Sequence, residues 1–171
     1  SVKIISDGAL GSRGAALFAH YTDDPSQSGI MLLNEDEMQA TVNRAFSSGF
    51  QVNIHAIGDK ANHKSLNAIE SALNLFGPRD HRSRIEHAQI VTLTDIPRFA
   101  ELDVIASIQP SHCTSDMVMA ESRLGVDRLN QAYPWRKFLD AGVRLASGSD
   151  FPVEDCNPLW GIYSALTRQT R

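Results

Sequence analysis

Five times along this chain a short apolar run gives way to a longer amphipathic segment. The runs occupy 2–6, 51–55, 84–89, 104–109 and 143–147. The segments between them read as helices: one opened by Asn34 and closed by Gly49, one over 59–76, one near 94–102, one over 135–141 and one starting at Asn157. Strand–helix repetition of this kind builds a parallel sheet, because parallel neighbours need a crossover of roughly a dozen residues or more. No internal repeat, low-complexity tract or interdomain linker interrupts it, so the chain reads as one α/β unit.

Local signals support these boundaries. Asn34 can cap, and Glu37 stands three residues on, as in a capping box, with Glu35 and Asp36 at the positive end of the helix dipole. Leu66, Ile69, Leu73 and Phe76 share one face of the second helix, and Gly77-Pro78 stops it. Thr94 is the expected cap of the third. Two stretches, 8–33 and 110–130, read as long polar loops, of a length usually functional or mobile. The chain starts at Ser1 in what reads as a strand and stops at Arg171 in what reads as a helix.

With 42% hydrophobic and 21% charged residues, disorder and a collagen-like fibre are excluded. A net charge of −4 leaves no basic footprint, so neither nucleic acid nor an anionic membrane is an expected partner. No run approaches the ~18 apolar residues of a membrane span, and no signal-peptide pattern opens the chain. Cys113 and Cys156 are too few for a disulfide framework, and a reduced, cytoplasmic location is the simplest reading.

In parallel α/β folds, functional groups stand beyond the carboxyl ends of the strands. His55, His87, Gln109 and Asp150 fall at or just after the last residue of successive strands. Two histidines and an aspartate form a divalent-metal pattern, since neutral imidazole suits zinc, iron, cobalt or nickel and a carboxylate can ligate or take a proton. Each residue alone is open to a plainer reading: a hydrogen-bonded structural histidine, or Asp150 as the cap of the next helix. His63 falls in a helix and reads as solvated, and His20 and His81 lie in loops. His112, after Pro110-Ser111, is a candidate for substrate contact. Lys3 is the only charged residue in the first strand. Either that strand is an edge and the side chain reaches outward, or the lysine is neutralised or carboxylated and joins the metal cluster.

Four ordered blocks carry a resemblance: Val2-Lys3-Ile4-Ile5-Ser6-Asp7-Gly8-Ala9-Leu10-Gly11-Ser12-Arg13, His55-Ala56-Ile57-Gly58-Asp59, Arg84-Ile85-Glu86-His87-Ala88-Gln89 and Ser147-Gly148-Ser149-Asp150-Phe151-Pro152. Together they resemble the metal-dependent amidohydrolase superfamily, in the branch holding N-substituted formamide deformylases and exoenzyme regulatory proteins. The resemblance implies a (β/α)8 TIM barrel with one or two divalent metals, zinc first, at its carboxyl rim. It also implies hydrolysis of amide-like C–N bonds in a small-molecule substrate. Carried over residue by residue, His55 and His87 match the fifth- and sixth-strand histidine ligands, and Asp150 the eighth-strand aspartate, a ligand and proton shuttle. Lys3 matches the lysine that binuclear members carboxylate to bridge two metals. Gly8 to Arg13 matches a loop lining the substrate pocket, with Gly8, Arg13, Gln109 and His112 as substrate-binding candidates.

The family's first-strand His-x-His pair is absent from this chain. Counted as the fourth to eighth, these five strands leave out three more and the small β-sandwich, and such a barrel takes about 250 residues. The expectation is a single partial barrel domain over 1–171, a carboxyl-side fragment that self-associates through open sheet edges and has little or no activity alone. Two other readings use the same fold: a non-enzymatic regulatory or binding protein, and a lactone or phosphoester hydrolase.

Overall fold

The computed structural model describes residues 1–170. Its strands are β1 (Val2–Ile5), β2 (Val52–Ala56), β3 (Arg84–His87), β4 (Ile105–Ile108) and β5 (Leu145–Ser147). They pair in parallel in strictly sequential order, β1-β2-β3-β4-β5. A doubly wound sheet reverses its order at a switch point, and this one does not. Right-handed crossovers that always advance to the next position place their helices on one face, which is the geometry of an arc of a (β/α)8 barrel.

The register separates two rows of side chains. Ile4, Ile54, Ile85, Ala106 and Leu145 align across the sheet. The first four are buried in one core cluster with Met38, Phe46, Leu66, Ile69, Phe99 and Phe138. These six come from α1 (Glu35–Ser47), α2 (Asp59–Phe76), α3 (Ile96–Glu101) and α6 (Trp135–Asp140). The alternate row, Ile5, His55, Glu86, Ser107 and Ala146, faces the concave side, with Lys3, Asn53 and Arg84 one step behind it. Ile5 is 51% exposed there. The helix-facing row supplies burial, and the concave row is free to carry polar chemistry.

Most sequence boundaries hold. Asn34 and Glu37 form the reciprocal capping box of α1, and α2 spans 59–76 as expected. Four expectations change. Thr94 does not cap α3; the Thr92 hydroxyl accepts from the Asp95 N–H instead. The 110–130 stretch is not a loop but α4 (Pro110–Asp116), α5 (Ala120–Leu124) and a 3-10 turn (Val126–Gln131). Each is too short for a periodic signal, and Pro110 serves as a first-turn residue. The last helix, α7 (Pro158–Thr167), ends before the terminus because Arg168 adopts a left-handed conformation, φ 53°; Arg171 lies outside the described residues. His63 is not simply solvated: its Nδ1 sits 3.0 Å from the carboxylate of Asp95, which is buried and also accepts from Arg98 and Thr92.

The 8–33 stretch has no regular helix or strand, yet it is packed. Leu10, Ala15, Leu17 and Tyr21 form a second cluster with Ile57, Ile90, Ala120 and Leu124. The loop seats on the end of β2 at Gly58, where an added Cβ would lie 2.0 Å from the Ala16 carbonyl oxygen. Only glycine permits that approach. No helix among the described residues is long and apolar enough to cross a membrane.

Candidate metal centre

His55 and His87 do not share a register. His55 pairs with Ile5 and Glu86, whereas His87 pairs with Ala56, one residue further along. Strand alternation alone would therefore send His87 to the side of Ile85, beneath the helices. The backbone breaks that alternation: His87 and Ala88 both have positive φ, 77° and 43°. Such conformations are uncommon for non-glycine residues and concentrate at functional sites. The outcome is a His87 ring 4.4 Å from that of His55, edge-on, and 5.7 Å from that of His112, stacked.

His112 reaches this cluster from the first turn of α4. Asp150 reaches it from the segment after β5, also at positive φ, 56°. Ligand atoms of His87, His112 and Asp150 all lie within 4.8 Å of one another. Asn157, not Asp150, caps α7, accepting from the Leu159 N–H, so the capping alternative does not apply.

Three ring nitrogens, His55 Nε2, His87 Nδ1 and His112 Nε2, are buried without a hydrogen-bond partner. Buried polar atoms are normally satisfied, so these exceptions need an explanation; His55 Nε2 has Asp7 at 3.6 Å, whereas His87 and His112 bring their ligand atoms together with Asp150. A divalent cation supplies one, because imidazole nitrogen and carboxylate oxygen are the donors that zinc takes. The residues present fit such an ion.

The electrostatics agree. Burial, the neighbouring His87 and the Lys3 charge pull His55 down to about 4. Burial, His112 and Lys3 likewise bring His87 down to about 4. Both rings are neutral at pH 7, the form that ligates a metal. Lys3 stands on the edge strand β1, exposed, in the row behind His55.

Beside the cluster lies a cavity of about 310 Å³ lined by Ala9, Leu10, Gly11, His55, Ile57, His87, Gln89, His112, Ser115, Asp116, Asp150, Val153 and Glu154. Gly8 and Arg13 are outside this lining. Gly8 packs on Gly14, its N–H donating to the Gly14 carbonyl at 3.1 Å, and Arg13 pairs with Asp23 at 3.0 Å. Together they close the turn that presents residues 9–11. Gln109 stands behind His87, buried.

Asp7 is the site residue that sequence reasoning passed over. Its fully buried carboxylate accepts from the backbone N–H groups of Ala16, Ile57 and Gly58 at 2.9, 3.0 and 2.8 Å, and lies 3.6 Å from His55 Nε2. Burial pushes it up to about 6 against those three donors.

These shifts set a pH dependence for the metal-free protein. An unfolded histidine titrates near 6.5, whereas folded His55 and His87 resist protonation until about 4. The unfolded state thus binds more protons between those values, and stability falls as pH drops through that window, by up to roughly 3 kcal/mol per histidine. Asp7 acts oppositely, since its raised value favours the folded state at low pH and is lost as pH rises through about 6. Two histidines outweigh one carboxyl. In chelator, the melting temperature should therefore fall from pH 6.5 to 4, and a melting temperature that rises over that range contradicts the assignment.

A parallel arc of strands thus brings two histidines and an aspartate that could hold a metal together beyond its carboxyl ends. The model of the Amidohydrolase family matches residues 1–171, and the chain belongs to that family. It is 40% identical over 168 residues to LONG AFTER FAR-RED 3 of Arabidopsis thaliana and 38% identical over 170 residues to the protein named amidohydrolase YtcJ of Bacillus subtilis (strain 168). These matches cover 98% and 99% of the chain but 29% and 32% of the relatives. N-substituted formamide deformylase of Arthrobacter pascens is 27% identical over 143 residues, covering 83% of the chain and 26% of that protein. Two crystal structures of uncharacterized metal-dependent hydrolases superpose on 98% of the chain. That from Pyrococcus furiosus has TM-score 0.87 and 36% identity, and that from Pyrococcus horikoshii OT3 has TM-score 0.89 and 34% identity. The chain spans 34% and 33% of those structures.

Proposed function

We propose that the chain carries ligands and the proton-transfer carboxylate of a zinc-dependent hydrolase that cleaves non-peptide C–N bonds of amide-like small molecules. The observation that carries this reading is that His87 and His112, each with a buried ring nitrogen that has no hydrogen bond, bring ligand atoms within 4.8 Å of each other and of Asp150 beside one cavity, with the His55 ring against that of His87. His55, His87, His112 and Asp150 would hold the ion, with Lys3, in a carboxylated form, as a further ligand. When bound, the ion supplies Lewis acidity toward the carbonyl and toward water.

The protein side chains do the rest. His55 and His87 stay neutral. Asp150, exposed at the cavity, accepts the proton of the attacking water and returns it to the leaving nitrogen. Residues 9–11, held by Gly8 and Arg13, wall the substrate. The amide preference draws on the family and on the formamide deformylase relative.

The test is a panel of amides, carbamates, lactones and phosphotriesters offered to the full-length protein, zinc-loaded or chelated. Amide turnover that chelation abolishes is expected. Turnover confined to lactones or phosphotriesters, or undiminished by chelation, would overturn the reading.

A further inference from the structure

The cavity lining carries two chemically different groups of side chains. One is the histidine cluster with Asp150. The other is formed by Asp116 and Glu154, with Leu10, Ile57 and Val153 as apolar wall, and no lysine or arginine is among the lining residues. A cleft end lined by carboxylates without a basic side chain favours cationic over anionic groups.

Asp116 is built into place rather than left solvated. It is the last residue of α4. Its Oδ2 accepts from the Gln89 side-chain amide at 2.7 Å and from the Tyr133 hydroxyl. Gln89 and Tyr133 are both buried. Burial drives the Tyr133 phenol upward, so it remains a donor at any working pH. Two donors on one oxygen fix the carboxylate plane and leave Oδ1 for a ligand. Glu154 is held beside it by the Ser115 hydroxyl. A separate observation marks the same cavity as a ligand site: His87, only 7% exposed, lines it and has a buried Nδ1 with no hydrogen-bond partner.

We infer that Asp116 is a specificity-determining residue that binds an ammonium or similar N–H-bearing cation on the amine side of the substrate. This rests on the hydrolase reading and narrows it to amides that carry a basic nitrogen. The same carboxylate accommodates the ammonium that forms when the released amine takes a proton at neutral pH. The apolar wall fits the hydrocarbon joining the two nitrogens. Anionic groups placed at Asp116 and Glu154 meet carboxylates there, with no lysine or arginine among the lining residues to offset them.

Two measurements on the zinc-loaded full-length protein test this. The first compares matched amides bearing an ammonium, a methyl or a carboxylate at one position; kcat/KM for the ammonium should exceed that for the methyl by about 10- to 100-fold. Asp116→Asn should collapse that ratio, chiefly through KM, and Tyr133→Phe, which leaves the charge but frees its orientation, should reduce it in part. The second is calorimetric binding of benzylammonium against benzyl alcohol, which needs no turnover. Equal binding of the two, or ammonium binding undiminished in Asp116→Asn, overturns the inference. Ammonium binding that depends on Asp116 in a protein that hydrolyses no amide upholds the site and refutes only the reaction.

Discussion

In the full-length protein, Asp150→Asn should lower amide turnover by about a hundred- to ten-thousand-fold, the range for losing a positioned acid–base group. Asp150 projects from the segment after β5 at positive φ, exposed to the cavity, with an oxygen within 4.8 Å of ligand atoms of His87 and His112. Asparagine keeps the shape and tolerates the left-handed backbone, so the fold should survive. It cannot take a proton from water. Because Asp150 also belongs to the ligand set, zinc content must be measured on the same sample. Lost turnover at retained zinc identifies the proton-transfer role, whereas unchanged turnover removes Asp150 from the mechanism.

The largest expected effect on stability belongs to Asp7→Ala. Three backbone N–H groups from two loops donate to this one buried carboxylate. Each donor left unsatisfied costs about 1–3 kcal/mol, which puts the loss on the order of 5 kcal/mol. A domain's entire margin is about 5–15 kcal/mol. The Ala16 carbonyl also closes on Gly58, so the carboxylate and this close approach together seat the 8–33 segment on the end of β2. Urea unfolding should show the midpoint falling sharply, with Asp7→Asn intermediate because its amide keeps one accepting oxygen. A loss below about 1 kcal/mol in Asp7→Ala, the worth of one ordinary hydrogen bond, would contradict this account of how the loop is held.

What was legible in the sequence is what repeats or caps. The capping box at Asn34 and Glu37 and the Gly77-Pro78 stop bound α1 and α2 closely because these are local interactions. The strand runs were legible because a sheet covered by helices buries a continuous apolar row. The site was legible only as residue types at strand ends. That His87 reaches His55 depends on two consecutive positive-φ residues, which no side-chain pattern encodes. His112 joins the cluster because α4 turns it inward, and α4 spans only seven residues, too few to show a period. Asp7 and Asp116 were hidden for a related reason. Their partners, Ala16, Ile57 and Gly58 for one and Gln89 and Tyr133 for the other, are distant in sequence and become neighbours only through the crossovers.

The central claim is that these side chains form a metal centre, and metal retention tests it most directly. The full-length protein is dialysed against zinc and then against metal-free buffer, and bound zinc is counted by elemental analysis, with a melting curve on each variant to verify folding. Wild type and His20→Ala, whose histidine lies in the 8–33 segment outside the ligand cluster, should retain zinc, and His87→Ala should lose it. Zinc absent from the wild type, or held equally by folded His87→Ala, would contradict the account.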